Sequence, residues 1–114
     1  MTTKMIDRTE KVQSYKNPIS KTTRSYILAT ADEIVNGVRN ESYGNPEDNF
    51  QKIAALWSSY TGHDYSAHDV AIMMILLKVA RTQSGTGSMD NYVDIAGYAA
   101  CAGEIYSKMW EDGE

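Results

Sequence analysis

The chain has 114 residues, 42% of them hydrophobic, with 11 basic residues against 15 acidic ones. That length leaves no room for two ordinary domains, and a net charge of −4 lacks the basic footprint of a duplex-DNA binder. The single cysteine, Cys101, excludes an intramolecular disulfide and a cysteine-based zinc cage.

Residues 1–19 are polar, and their few apolar side chains (Met5, Ile6, Val12) define no buried face. They read as a flexible arm ending at Asn17-Pro18. A single helical domain is expected from residue 20 to residue 114. Its first helix runs from near Ser20 to Asn36, where Ile27, Ala31, Ile34 and Val38 recur at helical spacing and Asn36-Gly37 offers a C-terminal cap. Residues 39–45 break the period. Asn45-Pro46 then opens a second helix: Asn45 suits the N-cap, Pro46 the first turn, and Glu47 and Asp48 the positive end of the helix dipole. Phe50, Ile53, Trp57 and Tyr60 form its stripe, and Gly62 stops it.

Ser66-Ala67-His68-Asp69 resembles a capping box with Asp in place of Glu. The third helix follows to about Arg81. Val70 to Leu77 are all apolar, so this helix is expected to be covered on most sides. The run is far shorter than the roughly 20 residues of a membrane span. A turn over residues 83–88 leads into a fourth helix from near Met89 to about Trp110, with Ala96, Ala100 and Gly103 on one close-packing face. Two prolines and one phenylalanine argue against a β-sandwich. The expected fold is all-α, a four-helix bundle.

Two constellations could carry chemistry. The short turn sets Lys78 and Arg81 of the third helix beside Asp90, Asn91 and Asp94 of the fourth. Four charges there make either a salt-bridge clasp or a phosphate or metal-phosphate site. Arg39, Tyr43, Gly44, Asn45, Pro46 and Asn49 surround the start of the second helix. Its free N–H groups, the Arg39 fork and the Tyr43 ring suit a nucleotide, though plain loop and capping chemistry accounts for them as well. His63 and His68 lack a third well-spaced metal ligand and read as capping or surface residues. Cys101 reads as a packed thiol, and no catalytic residue stands out.

The stretches RNESYGNPEDNFQKIAALW, HDVAIMMILLKVAR and DNYVDIAGYAA resemble a group of small phage-encoded helical proteins, over residues 22–108. These are similar to MazG-like all-α nucleotide pyrophosphohydrolases through the Asp-rich start of the fourth helix and Tyr98. The resemblance leaves the polar N-terminal arm outside it and implies a MazG-like bundle, a nucleotide or nucleotide-derived ligand contacted by residues including Asn91 and Tyr98, a homo-oligomer, and a place in the host cytoplasm. Those enzymes hold magnesium with two acids at i, i+3 on one helix and two more on the next. Here Lys78 and Arg81 occupy the first pair and Asn91 with Asp94 the second, so only Asp90 and Asp94 could hold Mg2+. Three readings follow: a nucleotide-binding protein with weakened or lost hydrolysis, able to sequester a signalling nucleotide; a Mg-dependent nucleoside triphosphate pyrophosphohydrolase, with Glu33 or Asp69 sharing the metal; and a structural or partner-binding bundle.

Overall fold

In a computed structural model, residues 22–37, 44–84 and 88–113 are described. They form four α-helices and no strand: α1 (Thr23–Asn36), α2 (Pro46–Thr61), α3 (Ala67–Thr82) and α4 (Met89–Gly113). The expected arm over residues 1–19 lies outside the described residues.

Local chemistry sets the helix ends. The Thr22 hydroxyl accepts from the Ser25 N–H, and the Asn45 side chain accepts from the Asp48 N–H, with Pro46 behind it. At α3 the Ser66 hydroxyl takes the Asp69 N–H at 3.0 Å while the Asp69 carboxylate takes the Ser66 N–H at 2.9 Å, completing the capping box. Gly62 ends α2 in the left-handed region (φ 81°), its N–H donating to the Ser58 carbonyl. Gly37 caps α1 differently. Its backbone is extended, and a Cβ there would run into the Glu33 carbonyl.

α4 is the central element. It packs along α3 as an antiparallel hairpin, and α1 and the start of α2 dock on it separately. Tyr26 and Ala31 of α1 bury against Val93, with Met89 and Ala96 alongside. Phe50 and Ala54 of α2 join Val70 and Ala71 of α3 and Cys101 and Ala102 of α4 in the larger core. Ser58 ties the α2–α3 connection by accepting the Tyr65 N–H at 2.8 Å, and Trp57 meets the Tyr65 ring edge-on.

Three sequence expectations change. Tyr60 is 92% exposed, and Ala54 takes its place on the inner stripe, because α2 leans on α3 through a narrower face. The close-packing site on α4 is Gly97, whose missing Cβ brings Val35 of α1 near; Ala100 and Gly103 are exposed. Finally, α3 is covered on one side only. α2 and α4 bury Ala67, Val70 and Ala71, leaving Ile72, Met73, Leu76, Leu77 and Val79 open.

Candidate functional site

α1 and α2 meet α4 on neighbouring tracks without packing substantially on each other. The gap between them is a cleft of about 380 Å³ floored by α4. Ile34 and Val35 form the α1 wall, Pro46, Asn49 and Phe50 the α2 wall, and Asp94, Gly97, Tyr98 and Cys101 the floor. Gly97 adds depth, since a side chain larger than a methyl there would fill the space toward Val35. Phe50 and Tyr98 lie at 5.9 Å between ring centroids, tilted by 46°, and make one end aromatic. A volume of this size with mainly apolar walls and a few polar groups is the usual form of a small-molecule site.

The sequence-derived candidates divide around this cleft. Asn49, Tyr98 and Asp94 line it. Asn45 lines an adjoining recess with Asn36, Glu47 and Glu104. Lys78 of α3 does not line the cleft but pairs with a residue that does, its Nζ 2.9 Å from Asp94 Oδ2, with 16% of its side chain exposed. Asn91 is buried one turn before Asp94 on α4. Arg81 and Asp90 are exposed at the turn end of the α3–α4 hairpin. Arg39 and Tyr43 lie outside the described residues. The two constellations recognised in the sequence therefore converge, through Asn49 and Asp94, on a single cleft. Cys101, Gly97 and Phe50 were not foreseen as its lining; the small residue at Gly97 carried the only signal.

The electrostatics favour a neutral ligand with hydrogen-bond donors over bare phosphate in the cleft interior. Asp94 is its charged lining group, and Glu47 and Asp48 stand in the first turn of α2. The Cys101 thiol is pushed up to about 11, first by burial and then by the Glu47 carboxylate, so it stays protonated and unreactive at neutral pH.

Magnesium does not fit this donor set. Among the described residues no three His, Cys, Asp or Glu side chains group closely enough to hold a metal ion. Asp94 is paired with an ammonium, and the positions expected for the first acidic pair carry Lys78 and Arg81. Glu33 and Asp69 do not join Asp90 and Asp94 in such a group, and Asp69 is engaged in the α3 cap. His63 is exposed, and His68 packs on Tyr106 at 6.2 Å between rings.

Among the described residues no helix is long and apolar enough to cross a membrane. No solved structure matches the chain. It is similar to the Gene 55 protein of Mycobacterium phage L5, 50% identical over 74 residues, which cover 64% of this chain and 47% of that protein. It is also similar to the Gene 55 protein of Mycobacterium phage D29, 46% identical over 86 residues, covering 75% of this chain and 56% of the relative. The chain thus spans about half the length of these relatives, and the expected likeness to phage proteins is borne out. Residues 26–106, running from the buried Tyr26 of α1 to the Tyr106 ring of α4, match a domain of unknown function, DUF6378, and the chain belongs to that family.

Proposed function

We propose that this protein binds a nucleotide or nucleotide-derived small molecule in the α1–α2 cleft without hydrolysing it. The observation that carries the reading is the cleft itself: an aromatic end formed by Phe50 and Tyr98, apolar walls, and the polar groups of Asn49 and Asp94 within one small volume. A nucleobase matches that combination, with a flat apolar face and a polar edge that an amide and a carboxylate can read. The resemblance to MazG-like enzymes supports the same ligand class.

The acidic surroundings put any phosphates at the mouth rather than on the floor. Gly44 lines the cleft, and the sequence carries Tyr43 and Arg39 shortly before it. Binding without turnover follows from the donor set. With Lys78 on Asp94, the described residues offer no carboxylate cluster that would gather a metal around a triphosphate.

Calorimetric titration and thermal shift with mono-, tri- and cyclic nucleotides, each with and without magnesium, test the reading. The expected result is a saturable rise in melting temperature with at least one nucleotide, little changed by magnesium, and no product on chromatography. Asn49→Ala should weaken that binding by up to about tenfold, the worth of one neutral hydrogen bond. No response to any nucleotide overturns the proposal, and pyrophosphate release overturns its non-hydrolytic part.

A further inference from the structure

We infer that the base read in the α1–α2 cleft is guanine, with its N1–H and 2-amino group donating to the Asp94 carboxylate. This rests on the nucleotide reading above and names the base within it.

Asp94 is the charged group of the cleft lining. A carboxylate only accepts hydrogen bonds, at about four lone-pair positions on its two oxygens. Among the described residues Lys78 is the partner of Asp94 and holds Oδ2, which leaves the Oδ1 edge to a ligand. The Asp94 side chain is one-third exposed, so a ligand can reach it. Lys78 stands outside the cleft lining, where it balances the charge of Asp94. The edge that the cleft presents therefore calls for hydrogen-bond donors rather than for a cation.

The common bases differ in what they bring to such an edge. Guanine alone carries two donors side by side, N1–H and the 2-amino group. These meet two carboxylate oxygens in the parallel manner of an arginine fork. Adenine and cytosine set one amino group beside a ring-nitrogen lone pair, which would face the second carboxylate oxygen. Uracil and thymine flank a single N–H with two carbonyls, so both flanks repel the carboxylate. An acceptor left facing an acceptor out of water costs more than a contact never made.

The floor has the matching shape. Asp94, Gly97, Tyr98 and Cys101 stand at i, i+3, i+4 and i+7 on α4 and share one face. Gly97 has no side chain to lift a planar ring off that face. Asp94 and Cys101 lie about 10 Å apart along the helix axis, the reach of a purine with a hydrogen bond at its end and more than a pyrimidine spans. Phe50 and Tyr98 already meet at 5.9 Å, so the base lies against this aromatic pair rather than between its rings.

Calorimetric titration with the 5′-monophosphates of guanosine, inosine, xanthosine, adenosine, cytidine and uridine tests the assignment. Guanosine monophosphate should bind the native protein most tightly. Inosine monophosphate lacks only the 2-amino group and should bind about ten- to a hundredfold more weakly, the worth of one hydrogen bond to a charged group. Xanthosine monophosphate puts a carbonyl in that place and should bind more weakly still. Asp94→Asn keeps the size of the side chain but gives it one donor and one acceptor. That variant, with helical circular dichroism unchanged, should reverse the order and take xanthosine monophosphate in preference to guanosine monophosphate. A purely structural Asp94 would weaken every nucleotide alike and leave the order as it was. If the variant does not fold, the native ratio of guanosine to inosine monophosphate decides. Another base bound as tightly as guanine, inosine bound as tightly as guanosine, or a folded Asp94→Asn protein without the reversal overturns this inference and leaves the nucleotide reading in place. No response to any of these nucleotides overturns both.

Discussion

Lys78 Nζ sits 2.9 Å from Asp94 Oδ2, joining α3 and α4 about one turn from the connection between them. The pair is partly buried, with 16% and 33% of the two side chains exposed. An ammonium rising from an apolar helix needs such a partner, and a carboxylate one-third exposed can still reach water. Lys78→Met should therefore cost about 1 kcal/mol rather than unfold the chain. A double-mutant cycle with Asp94→Asn, followed by urea denaturation, should return a coupling of about that size. Independent, additive effects would show that the contact contributes nothing to stability.

Cys101 supplies a pH test. Its folded thiol is raised from 9.0 to about 11, so above pH 9 the unfolded chain loses a proton that the folded chain keeps. The stabilising contribution is complete below pH 9 and is lost as pH rises toward 11. Denaturation midpoints should fall across that window, and Cys101→Ala should flatten the fall. Alkylation of the native thiol should be much slower than that of the denatured chain. A nucleotide seated in the cleft should slow it further, since Cys101 lines the floor.

Two glycines should respond with opposite signs. At Gly97 an added Cβ would sit 3.4 Å from Val35 Cγ1, an ordinary contact. Gly97→Ala should therefore gain about 0.5–1 kcal/mol of helix propensity. Gly62 adopts φ 81°, so Gly62→Ala should lose about 1–2 kcal/mol despite open space around it. Thermal melts of the two variants check both signs, and a stabilised Gly62→Ala would show that α2 can end otherwise.

Thr30 Oγ1 is a buried side-chain atom without a hydrogen-bond partner among the described residues. Thr30→Val keeps the branched shape and removes the unmet hydroxyl. Stability should stay level or rise by up to about 1 kcal/mol. A loss beyond that would reveal a partner that forms in solution.

The helix ends were legible because capping is local chemistry. Asn45-Pro46, Ser66 with Asp69, and Gly62 each act on backbone groups within four residues, and each stands where the pattern put it. The parts that escaped depend on how the helices share space. Tyr60 continues a regular stripe yet faces water, because the width of the α2–α3 contact is set by both helices. The charge cluster at the hairpin was legible as a group, but the choice of Asp94 for Lys78 depends on the hairpin's register. The cleft escaped for a related reason: no residue announces that α1 and α2 will stand apart on α4. Asn49 and Asp94 were found separately, for their chemistry, and only the three-dimensional arrangement brings them together.

Among the described residues, α1 is held almost entirely by α4, through little more than Tyr26, Ala31 and the helix's last turn. Such an element can open without disturbing the α2–α3–α4 remainder, as a separate cooperative unit. Its amide protons should exchange with solvent well before those of α3 and α4. Because α1 is also one wall of the cleft, a ligand that occupies the cleft is at the same time a fastener for that wall. Hydrogen exchange should then report occupancy as a slowing confined to α1 and the facing turns, with the amides at the far end of the hairpin keeping their own rates.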